Sequence, residues 1–306
     1  MKYEIKIDKA KEAKGKISLQ RIALIADSIR KVAEGALQIR LRGVSITKGR
    51  KKFNLEDALD ITLAGLRGGS TCLDLETTTF AETLEPVQLD VFRQEAQKDL
   101  PQQTPVSLFM KAFEEAVKDN PSADLLDKPL LKELKNLKKA FFSNEETMII
   151  SNEGTVEQIT ITHETFAKIK ILEEEIPNSQ PVIINGKVEL LRFSQQKAVI
   201  ETEEGMVEGF LGEAVEPSHI ASFFGREITI AGTAHYKPGG KSVIEIERIS
   251  EPATGDAFFS KKPRTETVEQ QIQRQVKEGK QPNNLEEMQG LWKEETYEEL
   301  AELLRK

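Results

Sequence analysis

VIINGKVELLRF (182–193), AVIET (198–202), MVEGFL (206–211), EITIAGTAHY (227–236) and SVIEIERI (242–249) are five runs in which apolar and polar side chains alternate. Alternation in steps of two marks a strand with one buried and one wetted face. The connections carry turn chemistry: Glu203-Glu204-Gly205 joins the second run to the third, and Pro238-Gly239-Gly240 joins the fourth to the fifth. Between the third and fourth runs, Pro217–Phe224 reads as a short helix stopped by Gly225. Gly186 marks a bulge or bend inside the first run.

Three strands, a helix and two more strands is the element order of the OB-fold, a partly open Greek-key barrel, and residues 182–252 resemble it. The resemblance rests on element order, not on a signature motif. An SH3-like barrel is the nearest competitor, and it leaves the helix at 217–224 unexplained. Barrels of the OB type that hold single strands combine positive charge with exposed aromatics. Here residues 181–252 carry seven Lys or Arg against eleven Asp or Glu. The second and third strands with their turn supply Glu201, Glu203, Glu204 and Glu208, with Phe210 their sole aromatic. Nucleic-acid binding by the barrel is therefore disfavoured, and it reads as a structural or protein-contacting module.

Toward the N-terminus, residues 1–172 read as an α+β domain. Leu19, Ile22, Ile25, Ala26, Ile29, Val32, Ala33 and Ala36 recur in steps of three and four behind Ser18, a good N-cap, which predicts an amphipathic helix. Gly35 lies near its expected end, and the alternation of Leu37, Ile39 and Leu41 predicts a short strand. Residues 60–76 read as a hairpin turning at Arg67-Gly68-Gly69-Ser70. Helices are expected over 106–119 and 127–142, the second with Pro129 in its first turn. Met148-Ile149-Ile150 and Val156–Thr162 predict a strand pair, and Thr165–Leu172 fits either element. The acidic, proline-bounded stretch 173–181 reads as a linker to the barrel.

Past Pro252 the chain becomes tail-like over 253–306. It is polar and broken by Pro263 and Pro282, with a short helix expected around Val268–Val276 and partial disorder elsewhere. Near the end, Thr296 and Glu299 have capping-box spacing ahead of Leu300, Leu303 and Leu304. Trp292, the chain's single tryptophan, stands just before them in Leu291-Trp292-Lys293-Glu294-Glu295-Thr296. This ending resembles the C-terminal tails of bacterial antitoxins, in which a Trp, acidic residues and a Leu-bearing helix occupy a toxin's groove. The resemblance implies a bacterial interaction protein gripping a protein partner through Trp292, Leu300, Leu303 and Leu304. Docking of the same segment on its own body is the alternative.

The totals narrow the function classes. A chain of 306 residues accommodates two domains and a tail. A formal charge of −8, with 31% charged residues, argues against a surface that coats nucleic acid or anionic membrane as a whole. A single cysteine, Cys72, excludes an intrachain disulfide and a cysteine-based zinc site. No apolar run approaches the ~20 residues that span a bilayer, and the first residues lack the apolar core of a secretory signal. A cytoplasmic setting without a membrane is the expectation.

No catalytic signature emerges, and neither a cofactor nor a metal site is expected. His163, His219 and His235 have no spacing that would converge on a metal. A nucleophile elbow is absent, and Arg67-Gly68-Gly69-Ser70-Thr71 leads into a strand where a phosphate loop would lead into a helix. One local run stands out. Arg40, Arg42, Lys48, Arg50, Lys51 and Lys52 are six cations with no acid between them, chemistry suited to phosphates and hence the basis of an alternative, nucleic-acid-associated reading.

Overall fold

The computed structural model describes residues 1–12, 16–45, 57–67, 71–83, 99–122, 124–152, 154, 157–192, 196–212 and 214–277. The chain divides into a compact unit, Met1–Thr265, and a second unit, Glu266–Lys306. The protein is α+β, with a five-stranded sheet under helices followed by a closed five-stranded barrel.

The sheet contains β1 (Lys2–Asp8), β2 (Thr62–Arg67), β3 (Thr71–Glu76), β4 (Thr147–Asn152) and β5 (Ile159–Ile161), in the order β2-β3-β1-β4-β5. Every neighbouring pair is antiparallel. Ile5, Ile7, Leu73, Met148, Ile150 and Ile161 point to one face, where they are buried under helices. α1 (Leu19–Arg42) is the longest of these, followed by the single turn α2 (Phe80–Thr83), α3 (Pro105–Ala116), α4 (Lys128–Asn136) and α5 (His163–Glu175). Phe109, Phe113, Phe141 and Phe166 interlock between α3 and α5 with ring centroids 4.9–6.4 Å apart.

α1 starts as its sequence predicts. The Ser18 hydroxyl accepts the Arg21 amide at 3.2 Å. The helix does not stop at Gly35, and the strand expected at 37–41 is its last turns. Gly35 serves packing: a methyl group there would lie 3.0 Å from Leu130 Cδ1 and 3.3 Å from Ser45 Cβ. Leu37, Gln38, Ile39 and Leu41 are all buried, so this end of the helix is surrounded and loses its amphipathic signature. The true stop is Gly43, in the left-handed region at φ 91°, whose amide reaches the Ile39 carbonyl at 2.8 Å.

Both ends of α1 are pinned. Arg21 has no exposed surface, and its guanidinium meets both Glu146 oxygens at 2.7 Å, bonds Glu12 and stacks 3.9 Å over the Phe142 ring. Glu146 also accepts the amides of Lys11 at 3.0 Å and Phe142 at 2.7 Å. Beyond the other end, Asp127 accepts the Ser45 amide at 2.7 Å and hydroxyl at 2.6 Å while capping α4 through the Leu130 amide at 2.9 Å.

The expected 127–142 helix is α4 plus a 3₁₀ turn at Leu137–Ala140. The ambiguous 165–172 stretch belongs to α5, which opens with the Thr165 hydroxyl accepting the Thr162 amide at 3.0 Å. His163, just past the expected strand, is the first residue of α5. The expected linker 173–181 is narrower, because α5 runs to Glu175 and the next strand opens at Gln180.

The barrel follows the predicted order: β6 (Gln180–Arg192), β7 (Lys197–Thr202), β8 (Gly205–Leu211), α6 (Pro217–Ala221), β9 (Glu227–Tyr236) and β10 (Ser242–Ser250). It closes as β10-β8-β7-β6-β9, with β10 antiparallel to β9 and parallel to β8. That closure makes it OB-like and leaves no free edge. Ile184, Val188, Ile200, Ile228, Ile230, Ile244 and Ile246 fill the interior. Sharp bends keep the walls tight. A methyl at Gly232 would lie 2.0 Å from the Glu245 carbonyl oxygen, and one at Gly186 would lie 2.3 Å from that of Glu201.

After Asp256–Phe259, a 3₁₀ turn, the second unit contributes α7 (Val268–Lys277), where the sequence places a short helix. Among the described residues, no helix is long and apolar enough to cross a membrane.

Arg21→Met should destabilise the protein by about 3–5 kcal/mol in denaturant unfolding, because it leaves the Glu146 carboxylate buried and unpaired. Burial alone would raise the Glu146 carboxyl, but Arg21 and the Phe142 and Lys11 amides outweigh it and hold the group below the ordinary carboxylate range. Its contribution is therefore complete above the unfolded-state value and is lost as pH falls through the lowered folded value. The acid limb of the stability profile should flatten in a Glu146→Gln variant. Gly232→Ala should lower the unfolding midpoint more than an alanine at exposed Gly154, where nothing lies within 4 Å.

Candidate functional site

A cleft of about 600 Å³ opens where the end of α1 meets the barrel. One wall is Ile39, Arg40 and Gly43 of α1 with Ser122, Asp124 and Leu125 from the loop before α4. The other is the start of β7 at Lys197, β8 from Met206 to Gly209, and the β9–β10 turn at Lys237 to Val243. Lys262, Pro263 and Thr265 form the rim.

Each wall is held locally. The position of a Gly43 side chain would lie 3.7 Å from Val243 Cγ1, so the left-handed cap lets α1 end against β10. The loop before α4 is folded by Ser122, whose amide donates to Glu115 at 2.6 Å and whose hydroxyl accepts the Asp124 amide at 3.3 Å. Across from it, the Lys237 amide donates to the Lys241 carbonyl at 3.0 Å, closing a loop whose Gly239 and Gly240 have φ of 70° and 72°. At the rim, the Lys262 amide bonds Glu204 at 2.9 Å, and Ser260 accepts the Glu203 amide at 3.0 Å. These bonds strap the chain beyond the barrel across the β7–β8 turn.

The lining carries five basic side chains, Arg40, Lys197, Lys237, Lys241 and Lys262, against two acidic ones, Asp124 and Glu208. This is a cationic recess on an acidic protein. Lys237 is only 5% exposed, and neither its side chain nor that of Lys197 has a hydrogen bond or ion pair among the described residues. Burial lowers both ammonium groups below the ordinary lysine value. For Lys237, Asp124, Asp127 and Glu208 oppose that shift at a distance and Lys197 adds to it. For Lys197, Glu208 and Asp124 oppose the shift and Arg192 adds to it. An ammonium taken out of water without a partner is unfavourable, and a bound anion would relieve it.

Of the basic run read from the sequence, Arg40 and Arg42 are among the described residues, and Arg40 lines this cleft. Its guanidinium also faces Asp99 at 3.6 Å, and Arg42 lies in the same last turn of α1. Lys48, Arg50, Lys51 and Lys52 lie outside the described residues. So do Trp292, Leu300, Leu303 and Leu304, on which the antitoxin-like reading rests. No basic run in the sequence marks the four cleft lysines, because Lys197, Lys237 and Lys241 are scattered along an acidic barrel and Lys262 lies beyond it in Lys261-Lys262-Pro263-Arg264. The local signal was Lys237-Pro238-Gly239-Gly240-Lys241, a turn bracketed by two lysines and read only as a turn.

The histidines lie apart from the cleft. His235 bridges Ser179 Oγ at 3.1 Å from Nδ1 and Glu245 at 3.3 Å from Nε2, with its ring stacked on Phe210. Ser179 is exposed, and the trio ties the start of β6 to β9 and β10. Cys72 is buried in β3. Among the described residues, no group of three or more His, Cys, Asp or Glu side chains is arranged to hold a metal ion.

No protein-family model, no curated protein and no solved structure matches the chain. The cleft is thus interpreted from its own chemistry.

Removing the unpartnered charge should reveal its cost. Lys237→Met should raise the melting temperature of the ligand-free protein by a few degrees in a calorimetric scan, because a flexible apolar chain of similar reach replaces a buried ammonium.

Proposed function

We propose that the protein is a binding protein whose cleft between α1 and the barrel takes a small anionic ligand. The observation that carries this reading is Lys237, buried at 5% exposure with no side-chain partner among the described residues, in a recess lined by four further cations. Structural lysines leave their ammonium in water or pair it. A lysine held largely out of water with its ammonium unpaired, beside a second one, weakens the fold and prepares a site for negative charge, the trade expected where binding is selected over stability.

Nucleic acid is the weaker occupant. Stacking platforms give single-strand sites much of their affinity, and the described lining contains no aromatic residue. Charge and polar contacts dominate instead, in a recess of bounded volume.

Titration calorimetry with inorganic phosphate, pyrophosphate and citrate at low ionic strength tests the proposal. Binding of at least one of them, weakened by salt and abolished by Lys237→Met, is the expected result. Absence of heat for all three would overturn it. Because an anion favours the charged form, binding should raise the depressed Lys237 value. Affinity should therefore be greatest below the free-state value and decline as pH rises through it. The complex should take up a proton in that window, measurable as a dependence of the binding heat on the buffer's ionisation enthalpy.

A further inference from the structure

Resting on the anion-binding reading, we infer that the ligand is a phosphorylated polyol or sugar, its phosphate held by Lys197 and Lys237 and its hydroxyls by Asp124 and Glu208. Three properties of the recess select this class.

The first is volume. About 600 Å³ lies within the range that encloses a whole small organic ligand, far more than a bare phosphate fills. The anion must bring a skeleton with it.

The second is the placing of the two carboxylates. Asp124 comes from the loop before α4 and Glu208 from β8, so the two stand on opposite walls of the one cleft. Both are exposed, and neither makes an ion pair or side-chain hydrogen bond among the described residues. Both act on Lys197 and Lys237 only through their charge. A ligand that is anionic throughout would be repelled by them. Ionised carboxylates only accept hydrogen bonds, so they suit a ligand that presents hydroxyl donors alongside its negative group.

The third is the absence of aromatic side chains from the described lining, with Ile39, Leu125, Met206 and Val243 as the apolar surface. A nucleobase would find no ring to stack on, whereas the carbon frame of a polyol needs only aliphatic contact. Serine hydroxyls of Ser122 and Ser242 add adaptable polar partners to both walls.

Calorimetry on the full chain with inorganic phosphate, glycerol 3-phosphate, glucose 6-phosphate and AMP separates the outcomes. The expected result is that one of the two phosphorylated polyols binds at least tenfold more tightly than inorganic phosphate, and more tightly than AMP. Asp124→Asn and Glu208→Gln should reduce that preference severalfold without weakening inorganic phosphate, a split that general unfolding would not produce. Lys237→Met should abolish binding of both. If inorganic phosphate binds and the polyol phosphates bind no better, the anion site stands and the inference about its ligand falls. Tighter binding of AMP would also overturn the inference, in favour of base recognition. If none of the four binds, the inference about the ligand falls, and the anion-binding reading falls with it when pyrophosphate and citrate also give no heat.

Discussion

The N-terminal layer depends on a guanidinium with no exposed surface. Arg21 sits in the first turn of α1, and the Glu146 carboxylate holds it on one side, Glu12 on another and the Phe142 ring across its face. Burying such a pair is favourable only when almost every remaining donor and acceptor is satisfied, and the Lys11 and Phe142 amides complete Glu146. The result fastens the strand-to-helix connection, the start of α1 and the loop before β4 to one point. From there α1 extends as a rigid strut, and at its far end the Asp127 carboxylate ties the outgoing chain to α4. The position of Gly43, and with it one wall of the cleft, follows from these two anchors.

The barrel supplies the other wall by a different constraint. Closing five strands requires bends so tight that Gly186 and Gly232 have no room for a side chain. Closure also sets β10 parallel to β8, which brings the β9–β10 turn over the start of β7 and the middle of β8. Lys237 and Lys197, far apart in the chain, become neighbours in one recess through that topology alone. Their ammonium groups are lowered by loss of water more than they are restored by the acids nearby.

Much of the fold was legible in sequence, and the misreadings share a cause. The barrel strands, with α6 between β8 and β9, follow from period-two alternation and turn residues, signals that each strand carries locally. The last turns of α1 were misread because Leu37, Ile39 and Leu41 sit in a helix end packed on all sides, where apolar residues no longer mark one face. Gly35 lies near the expected helix end, but its role is to let Leu130 approach. Local pattern cannot distinguish a glycine that ends a helix from one that admits a neighbour.

The candidate site was almost invisible, and charge counting pointed away from it. Seven basic against eleven acidic residues made the barrel look repulsive to anions, but the strand pleat and the closure set Lys197, Lys237 and Lys241 on one recess and leave Glu201, Glu203 and Glu204 outside its lining. By itself the sequence determined the period of the barrel strands, the absence of a disulfide within the chain and the order of the barrel elements along the chain, because these depend on residue type and near neighbours. Only the tertiary structure decided that Lys237 lies buried and Lys197 half-buried against the end of α1, neither side chain with a partner among the described residues, because burial and the local dielectric are set by residues distant in the chain.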